Sequence, residues 1–209
     1  MATTRYYFPY TGTAGVTSFT LSDFWNDPAT IACRPLVTTK TSTTMTSWNP
    51  GLGNTYYSGK YQWVSGALSA KDFTTNDNFK IQFRLADSGS VGTANLAVSI
   101  RIMYSTNSER GVLYEGKSSL TIAATDLTNT NMGVTHTHFQ NNVSAQANDR
   151  LVVEVGFYGL ASASGFLSIG DDSATDLGEN VTDTAAYNPW LEIITADAAA
   201  ATNVLLNII

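Results

Sequence analysis

The sequence of 209 residues contains a single cysteine, Cys33, which excludes an intramolecular disulfide and any zinc or iron-sulfur site built on several thiolates. Two histidines, His136 and His138, are too few for a three-histidine metal centre. Charge is sparse: 13% of residues are Asp, Glu, Lys or Arg, the formal net charge is -6 and the pI is about 4.7. A chain so poor in bases is not built to grip nucleic acid or an anionic membrane surface. No apolar stretch approaches the ~18 to 20 residues of a membrane span, and the opening MATTRYYFPYTG lacks the apolar segment of a signal peptide. The chain as written is expected to be soluble and made in the cytoplasm. Also missing are a Gly-x-Ser-x-Gly elbow, a phosphate-cradling Gly-rich loop, a dinucleotide fingerprint and a His-Glu-x-x-His helix. With only five glutamates, Glu109, Glu115, Glu154, Glu179 and Glu192, the expectation is a protein that is not an enzyme. A glycosidase pair hidden among them is the remaining catalytic alternative.

Strict alternation of apolar and polar residues is what the chain does have. In NFKIQFRLAD, Phe79, Ile81, Phe83 and Leu85 share one face and Lys80, Gln82 and Arg84 the other. In ANLAVSIRIMYS the apolar set is Leu96, Val98, Ile100, Ile102 and Tyr104, opposed by Ala97, Ser99, Arg101 and Met103. In RLVVEVGFY, Leu151, Val153, Val155 and Phe157 line up, with Glu154 reading as an outward residue. Weaker strand patterns occupy residues 61–64, 113–115, 119–122, 133–139, 165–169 and 190–194. Clusters such as ADSGSVGTAN and ASASG supply turns between them. The 29 threonines suit the solvated face of a pleated sheet. No long segment shows a capped 3.6-residue period, and no βαβ alternation is present. These patterns predict an all-β fold, an antiparallel β-sandwich that is jelly-roll-like with little helix.

Three regions follow from composition. Residues 1–59, with the run TTKTSTTMTSWNPGLGNTYYSG, form an irregular N-terminal segment or arm with room for edge strands; residues 60–195 form the sandwich; residues 196–209 form an apolar tail. The tail ends in Val204, Leu205, Leu206, Ile208 and Ile209, candidate subunit contacts, because an apolar terminus needs something to cover it. The opposing expectation is that it packs on its own sheet.

Three clusters are candidate sites. His136 and His138, two apart on a strand, point to one face, but the pattern lacks a third ligand and the carboxylate that follows His-x-His in cupins. The loop GDDSATDLGENVTDT gathers Asp171, Asp172, Asp176, Glu179 and Asp183, hard oxygens that are candidate ligands for a structural calcium ion, although their spacing is not that of an EF-hand. It lies in a region, residues 151–209, with eight acids and no base, whereas residues 1–150 carry eleven bases against nine acids. The aromatics Trp48, Tyr56, Tyr57, Tyr61 and Trp63 offer flat faces on which sugars stack if they are exposed in a row; core packing is the alternative.

Four segments, SERGVLYEGKSSLTI from Ser108, ANDRLVVEVGF from Ala147, FLSIGDDSATDLGE from Phe166 and YNPWLEI from Tyr187, resemble virion-associated β-sandwich proteins of tailed bacteriophages. The resemblance covers roughly residues 100–195 and leaves the N-terminal third outside it. It implies a structural, non-catalytic role as a capsid decoration or cement protein, or as a minor tail or vertex protein, and it carries over no functional residues. It further implies the major capsid protein or other virion proteins as partners, a homo-oligomer such as a trimer, and a place on the virion surface after assembly in the host cytoplasm. The rival reading is a carbohydrate-binding module that attaches to a cell-surface glycan, with no cofactor in either case beyond the candidate calcium.

Overall fold

The computed structural model describes residues 2–10, 14, 18–26, 30–41, 46–48, 56–87, 94–118, 128–130, 137–159, 165–171, 175–179 and 188–195. Among these, all regular structure is strand: β1 (Ala2–Tyr7), β2 (Cys33–Leu36), β3 (Thr46–Trp48), β4 (Tyr56–Ser65), β5 (Lys71–Phe73), β6 (Asn78–Asp87) and β7 (Ala94–Met103). The second half carries β8 (Glu109–Lys117), β9 (Thr128–Thr130), β10 (Thr137–His138), β11 (Val143–Ala145), β12 (Arg150–Gly159), β13 (Gly165–Ile169) and β14 (Trp190–Thr195). One sheet runs β1-β14-β6-β13-β3, with β9 and β10 also pairing with β6; the other runs β2-β4-β12-β7-β8; β5 and β11 form a separate pair. Every pairing between these strands is antiparallel except β2 with β4, so the protein is an all-β sandwich.

The alternating apolar faces meet between the two sheets. Phe79, Ile81, Phe83, Leu167, Ile169, Leu191 and Ile193 from the first pack with Trp63, Leu96, Val98, Ile100, Ile102, Leu151, Val153, Val155 and Phe157 from the second in one buried cluster. Burying each such side chain contributes on the order of 1.5–3 kcal/mol, which is what holds the sheets face to face. Tyr104, grouped by alternation with the inward face of β7, is instead 36% exposed, because β7 ends at Met103 and Tyr104 opens the turn to β8.

The outward face of the second sheet is not solvated, contrary to the alternation reading. Ala97, Ser99, Arg101 and Met103 on β7 and Val152 and Glu154 on β12 are all buried. Residues 18–26 and 30–33 lie over them as a third layer. Phe19 and Cys33 pack with Val64, Met103 and Val152, while Leu21 and Trp25 pack with Ala97. The strands of the first 59 residues sit at the sheet edges: β1 beside β14, β3 beside β13 and β2 beside β4.

β8 closes the other edge of the second sheet, and side-chain amides cover its open backbone groups. Gln140 donates from Nε2 to the Glu115 carbonyl at 2.9 Å and accepts from the Glu115 N–H at 3.0 Å, while Asn141 Nδ2 donates to the Val112 carbonyl at 3.0 Å. These bonds take up part of the edge that a strand from another chain would pair with. The register shift between Ile100 and Arg101, which leaves Leu113 without a partner on β7, turns both Leu113 and Tyr114 inward, side by side. The Tyr114 ring, held edge-on to Phe79 at 4.7 Å, then lies over Gly116. A Cβ at residue 116 would stand 2.8 Å from Tyr114 Cζ and closer still to its hydroxyl oxygen. Gly116→Ala is therefore expected to lose about 1–3 kcal/mol of stability by overpacking, measured as a lower urea midpoint at unchanged slope.

Candidate functional site

Register places the most polar buried cluster. Across β12, Glu154 stands opposite Gln62 on β4 and Ser99 on β7, and Val152 stands opposite Arg101, which brings Arg101 diagonally beside Glu154. Glu154 is fully buried and accepts four hydrogen bonds. Its Oε2 takes the Ser22 backbone N–H at 3.0 Å and the Trp25 indole N–H at 2.7 Å; its Oε1 takes Gln62 Nε2 at 2.9 Å and Arg101 Nη2. Gln62 also grips Phe19 from both sides, accepting its N–H at 3.1 Å and donating to its carbonyl at 3.2 Å. Arg101 donates to the Thr20 carbonyl at 2.9 Å and pairs with Glu109 at 3.1 Å. Beside them Glu115 accepts the hydroxyls of Ser22 and Ser99. The carboxylate thus uses all its lone-pair sites, two on the segment that covers it and two on the neighbouring strands β4 and β7. Ser22, whose hydroxyl meets the Glu115 carboxylate, is only 5% exposed.

The three described members of the acidic loop are separated and satisfied. Asp171 is buried and accepts from the backbone and the hydroxyl of Thr41; Asp176 pairs with Arg5 at 2.8 Å and Lys40 at 2.7 Å; Glu179 pairs with Lys80 at 2.6 Å. Among the described residues no three acids, histidines or cysteines come together as a metal site, and Asp171, Asp176 and Glu179 are each held by a different partner. They diverge because each follows a different structural demand: Asp171 comes directly after Gly170, whose φ of 131° only glycine adopts readily, and Asp176 and Glu179 tie the loop to β1 and β6. Asp172 and Asp183 lie outside the described residues.

Arg5 anchors β1 by bridging Asp176 and Glu192 and stacks over Trp190 at 4.3 Å. At Asp176 burial pushes the carboxyl pKa up, but hydrogen bonds from Lys40, Arg5 and Tyr7 outweigh it and leave the group below its ordinary 3.8. Asp149 is shifted the same way: burial raises it, and hydrogen bonds from Arg110 and the Gln146 N–H lower it further. A carboxylate whose folded pKa is depressed adds stability that is complete above the unfolded pKa and fades as pH falls through the folded one. The urea midpoint is accordingly expected to hold down to about pH 5 and drop below about pH 4. Asp149→Asn should start lower at pH 6 and show a shallower acid decline.

The aromatic row is not a surface platform at its two described side chains. Tyr61 is 6% exposed and Trp63 fully buried, which corrects the sugar-stacking reading for both. Trp63 packs against Phe8 at 4.9 Å and Tyr61 at 5.4 Å, and its indole N–H donates to the Pro9 carbonyl at 3.0 Å. Burial pushes the Tyr61 phenol up to about 12 against the opposing charge of Arg34, which stacks on its ring at 4.5 Å. Trp48, Tyr56 and Tyr57 belong to β3 and β4, with side chains outside the described set. His138 is exposed on β10, whereas His136 and the tail residues Val204, Leu205, Leu206, Ile208 and Ile209 lie outside the described residues.

No family model matches the chain, and no curated protein matches it. Among solved structures it is similar to that of infectious bursal disease virus, Gx strain, with 11% identity and a TM-score of 0.23 over 84% of this chain and 42% of that chain. It is also similar to the infectious bursal disease virus VP2 subviral particle, with 12% identity and a TM-score of 0.22 over 76% of this chain and 38% of that chain. The chain thus spans less than half the length of the chains it matches.

The cluster around Glu154 was missed in the sequence because period-2 alternation assigns faces without saying what covers them. One signal was present. The outward positions of β7 include Ala97 and Met103, and those of β12 include Val152, none of which is the threonine or lysine of a solvated face.

Proposed function

We propose that this protein is a non-enzymatic structural component of a viral particle, a decoration or cement protein that stabilises a capsid through protein–protein contacts. The observation that carries the reading is the use made of the ionisable side chains. Glu154 with Arg101, Asp149 with Arg110, and Arg5 with Asp176 and Glu192 tie one element of the sandwich to another, as suits a protein whose task is to hold its shape. The likeness of the segments from Ser108, Ala147, Phe166 and Tyr187 to virion-associated sandwiches of tailed phages supports the same reading. Its partners are then the major capsid protein and further copies of itself, on the outer surface of the particle.

The test is quantitative mass spectrometry of purified virus particles from the source sample. A copy number equal to that of the major capsid protein, or a simple fraction of it, supports the decoration role. A handful of copies per particle replaces it with a minor tail or vertex role. Absence from particles overturns the virion reading altogether.

A further inference from the structure

A recess of about 430 Å³ lies where the β7–β8 turn meets the loop before β11, lined by Tyr104, Arg110, Asn141, Asn142 and Ser144 around Gly111. Both walls are pinned. The turn is closed by Tyr104 N–H to the Ser108 carbonyl at 2.8 Å and Asn107 N–H to the Tyr104 carbonyl at 3.1 Å, with Asn107 in the left-handed region at φ 70°. The loop is fixed by its amides: Asn141 Nδ2 donates to the Val112 carbonyl at 3.0 Å, and Asn142 Oδ1 accepts the Thr75 N–H at 2.8 Å.

Those two bonds decide which amide atoms remain. Asn141 keeps its Oδ1 acceptor and Asn142 its Nδ2 donors, and neither atom has a hydrogen-bond partner among the described residues. The hydroxyls of Tyr104 and Ser144 are likewise unpaired among the described residues, and both residues are exposed. Arg110 stacks over the Tyr104 ring at 4.0 Å and gives Nε and Nη2 to Asp149, which offsets its charge. The recess is therefore lined by an aromatic side chain with Arg110 over one face of its ring, the neutralised guanidinium itself, a fixed acceptor, a fixed donor and two hydroxyls.

We infer that this recess is a binding site for a neutral saccharide unit. A hydroxyl of a sugar both donates and accepts, so neighbouring hydroxyls match an amide acceptor and an amide donor held in place beforehand, and the C–H face of the ring packs on an aromatic side chain. The balanced pair of Arg110 with Asp149 favours an uncharged ligand over an acidic one. The site lies apart from the aromatic row around Trp63 and does not depend on the virion reading. Single-site binding is weak in such an open recess, and repetition of the site on an assembled surface would raise the avidity.

The test is a titration of the ¹⁵N-labelled full chain with the methyl glycosides of glucose, galactose, mannose, rhamnose and N-acetylglucosamine, followed by amide NMR. Saturable shifts are expected for at least one glycoside, confined to the side-chain NH2 groups of Asn141 and Asn142 and to the backbone of residues 104–112 and 141–144. Tyr104→Ala should weaken that binding about tenfold at an unchanged urea midpoint. Ser144→Trp, at an exposed position on the rim, should abolish it by filling the recess. Absence of saturable shifts with every glycoside up to tens of millimolar, shifts centred elsewhere, or binding indifferent to both folded variants overturns the assignment.

Discussion

Glu154→Ala is expected to lower the free energy of unfolding by about 3–5 kcal/mol, the usual cost of removing one partner from a buried ion pair. The variant strips Arg101, itself 3% exposed, of its buried carboxylate and leaves the Ser22 N–H, the Trp25 indole N–H and one Gln62 donor without their acceptor. Because three of those donors and contacts belong to residues 18–26 or grip them, the covering layer should loosen before the sandwich does. Cys33 reports on this directly: its thiol is buried with Phe19, Val64, Met103 and Val152. Reaction with a thiol reagent under native conditions should be slow in the wild type and clearly faster in Glu154→Ala. The double variant Glu154→Ala with Arg101→Ala should cost less than the two single losses combined, by about 0.5–3 kcal/mol, since the second removal takes away the stranded charge. A Glu154→Ala protein within about 1 kcal/mol of wild type, with Cys33 still protected, would show that the carboxylate is not what holds the segment down.

Trp63→Ala should be comparably damaging, at about 3–5 kcal/mol, through the cavity left by a large side chain in a core that cannot collapse around it. The ring touches both sheets and the N-terminal chain at once. It faces Phe83 of β6 at 6.4 Å and Phe8 at 4.9 Å, and its N–H holds the Pro9 carbonyl. Trp63→Phe keeps much of the volume and gives up the hydrogen bond, so a smaller loss of about 1–3 kcal/mol is expected. The urea midpoint measures both. The comparison also separates a core tryptophan from a sugar platform: a surface ring would be lost with little change in stability, and Trp63→Ala with a wild-type midpoint would contradict the packing described above.

Which residues form the sandwich core was legible in the sequence. Phe79, Ile81, Phe83, Leu96, Val98, Ile100, Ile102, Leu151, Val153, Val155 and Phe157 all alternate, and all are buried between the sheets. Alternation works because successive side chains in a strand leave opposite faces, a property of the chain that needs no knowledge of its neighbours. The absence of helix among the described residues follows from the same local rule, as does the placement of strands at residues 165–169 and at Trp190–Thr195.

Local rules do not extend to what lies on top of a sheet. Glu154 sits at an outward position in the sequence and at the centre of a buried network in the fold, because residues 18–26 cross over it from more than 100 positions away. Acids that are near one another in the loop around Asp171 part company for the same reason: Thr41, Arg5 and Lys80, far off in sequence, each claim one. The recess at Tyr104 joins two loops separated by more than 30 residues, and its open donor and acceptor exist only because Val112 and Thr75 occupy the other half of each amide. The sequence by itself determined that this chain is a sandwich of alternating strands, since burial of one face is encoded residue by residue. Tertiary structure alone decided which polar groups are spent on holding the layers together and which are left to face a ligand, since a hydrogen-bond partner is set by proximity in space.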